Sequence, residues 1–220
     1  MKNYEVIPKD AGIEAHALLY ALVSKTVLDH YGQKEGKAIL KEITETYGIH
    51  RGERMRKNAE TAGYGSDLNA FFLSGEWEGK PGENVSALSA EAESTISEVS
   101  VCAWHDTWRK YGLLPYGSYY CRWIDAAIAK GFAGSFSLSA PCSKGAGDPI
   151  CRFVWNEAYD PASLNREKQA RSSSFVLPFS RHCEELLSSA EDVLSSADPA
   201  GSDSLLEEVM HEFEQMYKIG

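Results

Sequence analysis

Glu93-Ser94-Thr95-Ile96-Ser97-Glu98-Val99-Ser100-Val101-Cys102-Ala103-Trp104 is the stretch on which the fold class turns. Ser, Thr, Ile and Val dominate it, and a run rich in β-branched residues reads as a strand. The chain before it reads as helix. Ile13, Ala17, Tyr20, Val23 and Val27 recur at three- and four-residue steps and form one apolar face. Gly32 ends that helix. A second helix spans Lys34–Tyr47, with Ile39, Leu40, Ile43 and Tyr47 inward, and a third spans Glu53–Ala62 and stops near Gly63. Ser66–Leu73 forms a short helix capped by Ser66. Gly75–Ala90 has Gly, Pro, Glu and Ser in excess and reads as a surface connection.

After the strand, Asp106 caps a short helix that runs through Lys110, and Tyr116–Lys130 is a helix with Gly131 as terminator. Phe136–Ala140 and Ile150–Trp155 alternate and read as strands, joined by a loop over Pro141–Pro149. Residues 158–174 read as an irregular connection, Arg181–Leu194 as a helix and Ser195–Ser202 as a linker. Leu206, Val209, Met210, Phe213 and Tyr217 give the last helix an apolar stripe, which packs on the domain or on a second subunit of a homodimer. The expected class is α+β. A helical N-terminal third, about residues 10–75, packs on a small, mostly antiparallel sheet with a central helix. The sheet belongs to a Cys/Asp/Gly-containing core at about 93–157. Helices follow at about 180–218, and residues 1–220 make one domain.

Composition narrows the function. Thirty-two acidic against 22 basic residues leave a net charge of −10, which repels a nucleic-acid backbone. The one basic cluster, Arg51, Arg54, Arg56 and Lys57, reads as a solvated helix face, or else as a contact for a substrate carboxylate. No run of about 18 apolar residues exists, so no membrane partner is expected. Met1–Asp10 is polar with both charge signs, unlike a secretory signal, and the expected compartment is the cytoplasm. The odd count of cysteines, Cys102, Cys121, Cys142, Cys151 and Cys183, fits reduced thiols. No C-x-x-C, H-E-x-x-H, G-x-S-x-G or phosphate-loop motif occurs, and the remaining histidines are scattered.

Chemistry concentrates in the middle third. Cys121 and Asp125, four apart, share one face of the helix expected there, a thiol one turn from a carboxylate. The carboxylate can act as base; the thiol attacks only as thiolate. Gly147-Asp148-Pro149-Ile150-Cys151 leads into the last strand, where glycine permits a tight turn or close approach to a ligand. Asp148 can equally bond the turn backbone, and Cys151 can pack with Phe153 and Trp155. Cys102 and His105 end the first strand, and His105 can titrate near neutrality. Trp104, with the neighbouring tryptophans and tyrosines, forms core or walls a pocket for a small planar ligand.

Taken in order, these pieces resemble a known family. Cys102 after a strand, Tyr120-Cys121-Arg122-Trp123-Ile124-Asp125, Gly131-Phe132, Gly147-Asp148 and Cys151-Arg152-Phe153 look like the L-2-amino-thiazoline-4-carboxylic acid hydrolase family, over about residues 10–157. The Pro141-Cys142-Ser143-Lys144-Gly145 segment departs from that pattern. The resemblance implies hydrolytic opening of a small cyclic, sulfur-containing amidine to an N-carbamoyl cysteine. Cys121 or Cys151 attacks, or Asp125 activates water, with Asp148 or His105 handling protons. Arg122 or Arg152 would hold the substrate carboxylate, beside Cys102, Trp104 and Gly147. No cofactor is expected. Two other readings keep the same residues: a non-catalytic sensor similar to vinyl-reductase-like small-molecule-binding domains, and a metal site drawn from Cys102, Cys121, Cys151, His105 and Asp125.

Overall fold

The computed structural model describes residues 6–170 and 175–219. Helix α1 (Ile13–Ala62) is interrupted at Gly32, whose φ of 72° and ψ of 177° are not helical, so the first helix ends where its glycine indicated. The expected gap between Tyr47 and Glu53 does not exist; helix runs through it. Then come α2 (Leu68–Leu73), β1 (Asn84–Glu91), β2 (Ser94–Cys102), α3 (Ala103–Lys110), α4 (Leu114–Gly117) and α5 (Tyr120–Phe132). The chain continues with β3 (Leu138–Cys142), a 3-10 turn at Lys144–Ala146, β4 (Cys151–Trp155), α6 (Pro161–Ala170), α7 (Phe179–Ala197) and α8 (Ser202–Ile219). The fold is α+β, with a four-stranded sheet in the order β1-β2-β4-β3 and every pairing antiparallel.

Several boundaries differ from the sequence reading for identifiable reasons. The Gly75–Ala90 connection contains a whole strand. Most residues of β1 are exposed on this sheet edge, so it lacks the apolar alternation that marks a half-buried strand. Its hairpin to β2 turns through Ala92 at φ 54°, a left-handed conformation more often marked by Gly or Asn. The first strand stops at Cys102, and His105 and Asp106 lie inside α3 rather than before it. The helix expected over Tyr116–Lys130 is divided into α4 and α5. Asp67, not Ser66, caps α2, accepting the Ala70 amide at 2.8 Å. The connection over 158–174 holds α6, and residues 171–174 lie outside the described part. Asp160 begins α6 by accepting the amides of Ala162 at 2.9 Å and Ser163 at 3.2 Å, with Pro161 in the first turn. The Ser195–Ser202 linker shrinks, because α7 runs to Ala197.

Two compact units emerge: residues 1–47, 103–123 and 178–220, and residues 48–102 and 124–177. In the first, the two arms of α1 up to Tyr47 form a hairpin. Tyr20 Oη lies 2.7 Å from Thr44 Oγ1, whose own proton goes to the Leu40 carbonyl, so the tyrosine is the donor. His16 is buried between Tyr47 and Trp104 at 3.0 Å from each. An indole N–H can only donate, so His16 Nδ1 accepts from Trp104 and Nε2–H donates to Tyr47 Oη. Trp108 is fully buried and donates to the Ala17 carbonyl at 2.8 Å. The apolar stripe of α8 packs within this unit, with Leu206, Val209 and Phe213 buried.

In the second unit, Met55 and Ala59 of α1 join Phe132, Ala133, Phe136 and Trp155 in one core. The backbone of α1 lies directly on that of α5. A Cβ at Gly48 would fall 2.6 Å from the Ala127 Cβ, and one at Gly52 would strike the Ile128 carbonyl oxygen. One at Gly131 would strike the Ile49 carbonyl oxygen, so Gly131 is a contact residue inside α5 rather than its terminator. Residues four apart on α1, Gly48 and Gly52, therefore present bare backbone to the Ile124–Phe132 stretch. Gly52→Ala raises local helix propensity, but the overlap outweighs it, and a net destabilisation of about 1–3 kcal/mol is expected. Urea unfolding of the variant against the parent measures it; equal midpoints would contradict so close a crossing.

Candidate functional site

Cys151 opens β4 and is buried. Its Sγ receives the Lys144 backbone N–H at 3.3 Å. That amide is presented by the 143–148 turn, which Asp148 holds together. The Asp148 carboxylate accepts the Ser143 amide at 2.8 Å, and its own amide donates to the Ser143 carbonyl at 3.1 Å. Gly147, at φ 102°, closes the turn in a left-handed conformation where a Cβ would be strained. Lys144 Nζ ties the turn to β2 through the Ser100 carbonyl at 3.1 Å. In this structure Asp148 and Gly147 thus build the turn that aims an N–H at the thiol. Burial pushes the Cys151 thiol up; the Lys144 amide draws it back, and the charge of Asp125 adds to the rise.

Asp125 belongs to the same unit as Cys151. Its carboxyl is crowded by protein, and burial lifts it from an ordinary 3.8 to about 6, against the downward pull of Arg51 and of its own backbone amide. Arg51 stands between Gly48 and Gly52 on α1 and is itself buried, and its charge pulls the Asp125 carboxyl down.

The basic cluster is not a solvated face. Arg51 is 4% exposed and Glu76 is fully buried. Glu76 Oε2 accepts from Arg51 Nε at 3.5 Å and from Arg54 Nη2 at 2.9 Å, and Arg54 Nε reaches Oε1. Arg56 and Lys57 are the members that stay exposed, and Arg56 pairs with Glu60 at 2.8 Å. Two guanidinium groups around one buried carboxylate satisfy its oxygens, and removing a partner from such a set typically costs about 3–5 kcal/mol. Arg51 and Arg54 could be picked out by their three-residue spacing, but nothing local marks Glu76, twenty-two residues further on, as their partner.

The other expected site residues are distributed. Cys102 ends β2 in the second unit, half-buried and opposite Asn84. Arg152 follows Cys151 and so points to the other face of the sheet. There its guanidinium is bonded to Glu98 at 2.6 Å and Glu91 at 3.2 Å. Cys121, Arg122, Trp104 and His105 belong to the first unit. Cys121 is half-buried in the first turn of α5, and the Arg122 guanidinium lies 4.8 Å from the Tyr119 ring. Trp104 is engaged by His16, and His105 Nδ1 lies 3.0 Å from Asp106 Oδ1. Cys121 and Asp125 lie four apart on α5, as expected, and the division into units falls between them, after Trp123. Asp125 and Cys151 share a unit, and the charge of the first raises the thiol of the second. All five cysteines are free thiols. Among the described residues no group of three or more His, Cys, Asp or Glu side chains is arranged to hold a metal ion, and no helix is long and apolar enough to cross a membrane.

A raised carboxyl, a buried thiol and a backbone N–H bonded to that thiol therefore belong to one unit. The family model for L-2-amino-thiazoline-4-carboxylic acid hydrolase matches residues 11–155. The chain belongs to that family. No curated protein and no solved structure gives a significant match.

The raised Asp125 carboxyl carries a stability consequence. Its folded value, about 6, lies above the ordinary 3.8. Burial of the charge therefore destabilises the fold fully above about pH 6, and the penalty disappears as the group protonates toward pH 4. Asp125→Asn is expected to raise the melting temperature at pH 8 and to lose that advantage by pH 4. A gain that grows on acidification would contradict the burial.

Proposed function

We propose that the protein is a hydrolase that opens a small cyclic amidine such as 2-aminothiazoline-4-carboxylate by C–S cleavage, with Asp125 as general base. The observation that carries this reading is Asp125 itself, a half-buried residue whose carboxyl is lifted to about 6, which at neutral pH is ionised and basic enough to take a proton from water. Thiol attack is less favoured. Burial and the Asp125 charge both hold Cys151 in the protonated form, and only the thiolate is a competent nucleophile.

Water gives one proton to Asp125 while its oxygen attacks the ring carbon between nitrogen and sulfur. The C=N electron pair moves to the ring nitrogen, which takes that proton from Asp125 and restores the carboxylate. The tetrahedral carbon then collapses, its hydroxyl becoming the carbonyl as the C–S bond breaks. The hydroxyl proton returns by way of Asp125 to the departing thiolate, leaving an N-carbamoyl cysteine and an unchanged carboxylate. The Lys144 amide and the Cys151 thiol supply hydrogen-bonding groups beside this site.

The test is thiol release from 2-aminothiazoline-4-carboxylate and related ring compounds, followed against pH. Asp125→Asn is expected to lower kcat/KM by about 10²–10⁴-fold, the usual worth of a positioned base. The parent should lose activity as pH falls through about 6, where Asp125 takes up its proton. Cys151→Ser should keep most of the activity. A folded Asp125→Asn variant that remains active, beside an inactive Cys151→Ser, would replace the water mechanism with thiol attack. Binding of such compounds without any turnover would leave a sensor and end the hydrolase reading.

A further inference from the structure

Lys37, Tyr119, Arg122 and Trp123 take no part in the chemistry just described, and all four belong to the first unit. We propose that they form a binding site for a small planar aromatic carboxylate, with Arg122 and Lys37 holding the carboxylate and Trp123 presenting its indole to the ring. This assignment goes beyond the hydrolase reading and does not rest on it.

The Tyr119 ring is the hub. Tyr119 is buried, and its ring stacks on that of Trp123 at 5.9 Å with the planes 20° apart. The Arg122 guanidinium lies 4.8 Å from the Tyr119 ring centre, and Lys37 Nζ, from the second arm of α1, lies 5.8 Å from it. Both cations are exposed and Trp123 is half-buried, so all three can meet a ligand. An aromatic face attracts a cation but does not cancel its charge. Other exposed cations of this chain meet carboxylates: Lys41 meets Glu45, Arg56 meets Glu60 and Arg181 meets Glu184. Neither Lys37 nor Arg122 forms an ion pair with a described residue, although the chain carries a net charge of −10. Arg122 also stands in the first turn of α5, which holds no acidic residue. The positive end of the helix dipole lies there, where an anion is favoured and a cation is not. Positive charge from two elements is thus gathered around one ring. A guanidinium binds a carboxylate through paired N–H donors, an ammonium adds a point charge, and a flat indole takes a flat ring.

The experiment uses benzoate as the probe and reads its binding to the full chain by saturation-transfer NMR on the benzoate ring protons. Benzoate should bind saturably. Arg122→Gln should weaken it about tenfold or more, the worth of a charged hydrogen bond, and Lys37→Gln should weaken it in the same direction. Arg181→Gln, at an exposed arginine already paired with Glu184, should leave the affinity at the parent value. All three substitutions fall at exposed side chains, and circular dichroism checks that each variant is folded. Cyclohexanecarboxylate keeps the charge and loses the flat ring; benzamide keeps the ring and loses the charge. Each should bind more weakly than benzoate. No saturable binding of benzoate, or an affinity unchanged in Arg122→Gln or in Lys37→Gln, overturns the proposal. Equal binding of cyclohexanecarboxylate would leave an unselective anion patch, and equal binding of benzamide an apolar surface; either outcome removes the assignment. The readout needs no turnover. A protein that hydrolyses none of the ring compounds, yet binds benzoate through Arg122 and Lys37, keeps this site and loses the hydrolase reading.

Discussion

Gly48, Gly52 and Gly131 contribute no side chain where α1 crosses the Ile124–Phe132 part of α5, and the second unit is arranged around that close crossing. Two helices separated by ordinary side chains lie roughly 8–10 Å apart. Here a single Cβ would already collide, so the two backbones are nearly in contact. The core residues Met55, Ala59, Phe132 and Ala133 fill the continuation of the same interface. Arg51 stands between two of the glycines, and its guanidinium is delivered into the protein rather than into solvent, where its charge acts on Asp125.

That delivery carries an electrostatic cost that the rest of the unit offsets. A guanidinium and a carboxylate removed from water each lose hydration, and packing alone does not replace it. Glu76 supplies a buried counter-charge and brings Arg54 into the same cluster. At Asp125 burial outweighs the pull of Arg51, and its carboxyl rises. On the sheet side, the turn closed by Asp148 and Gly147 directs the Lys144 amide to Cys151. A thiol, a backbone donor and a raised carboxyl thus arise from separate segments, each held by its own local device.

The sheet and helices were legible to different degrees. The strand around Ile96 and the strand over 151–155 showed through β-branched and aromatic residues, and both exist. β1 was hidden because an exposed edge strand has no buried face to alternate, and its hairpin turn used Ala92 instead of glycine. The continuity of α1 was hidden for the opposite reason. The helices over Lys34–Tyr47 and Glu53–Ala62 were read apart, although the glycines between them, Gly48 and Gly52, lie inside the helix and bring its backbone onto α5. α6 had a usable signal in Asp160-Pro161, a capping residue followed by a first-turn proline.

By itself the sequence determined the α+β class, the family resemblance and the presence of Asp125 and Cys151 as candidates, because periodicity, strand composition and short motifs are local properties of the chain. Only the tertiary structure decided that the Asp148 turn aims the Lys144 amide at Cys151, that Arg152 is held by Glu98 and Glu91, and that Arg51 and Arg54 close on Glu76. Charge pairing inside a protein depends on distance and dielectric, and neither is written in residue spacing once partners lie more than a helical turn apart.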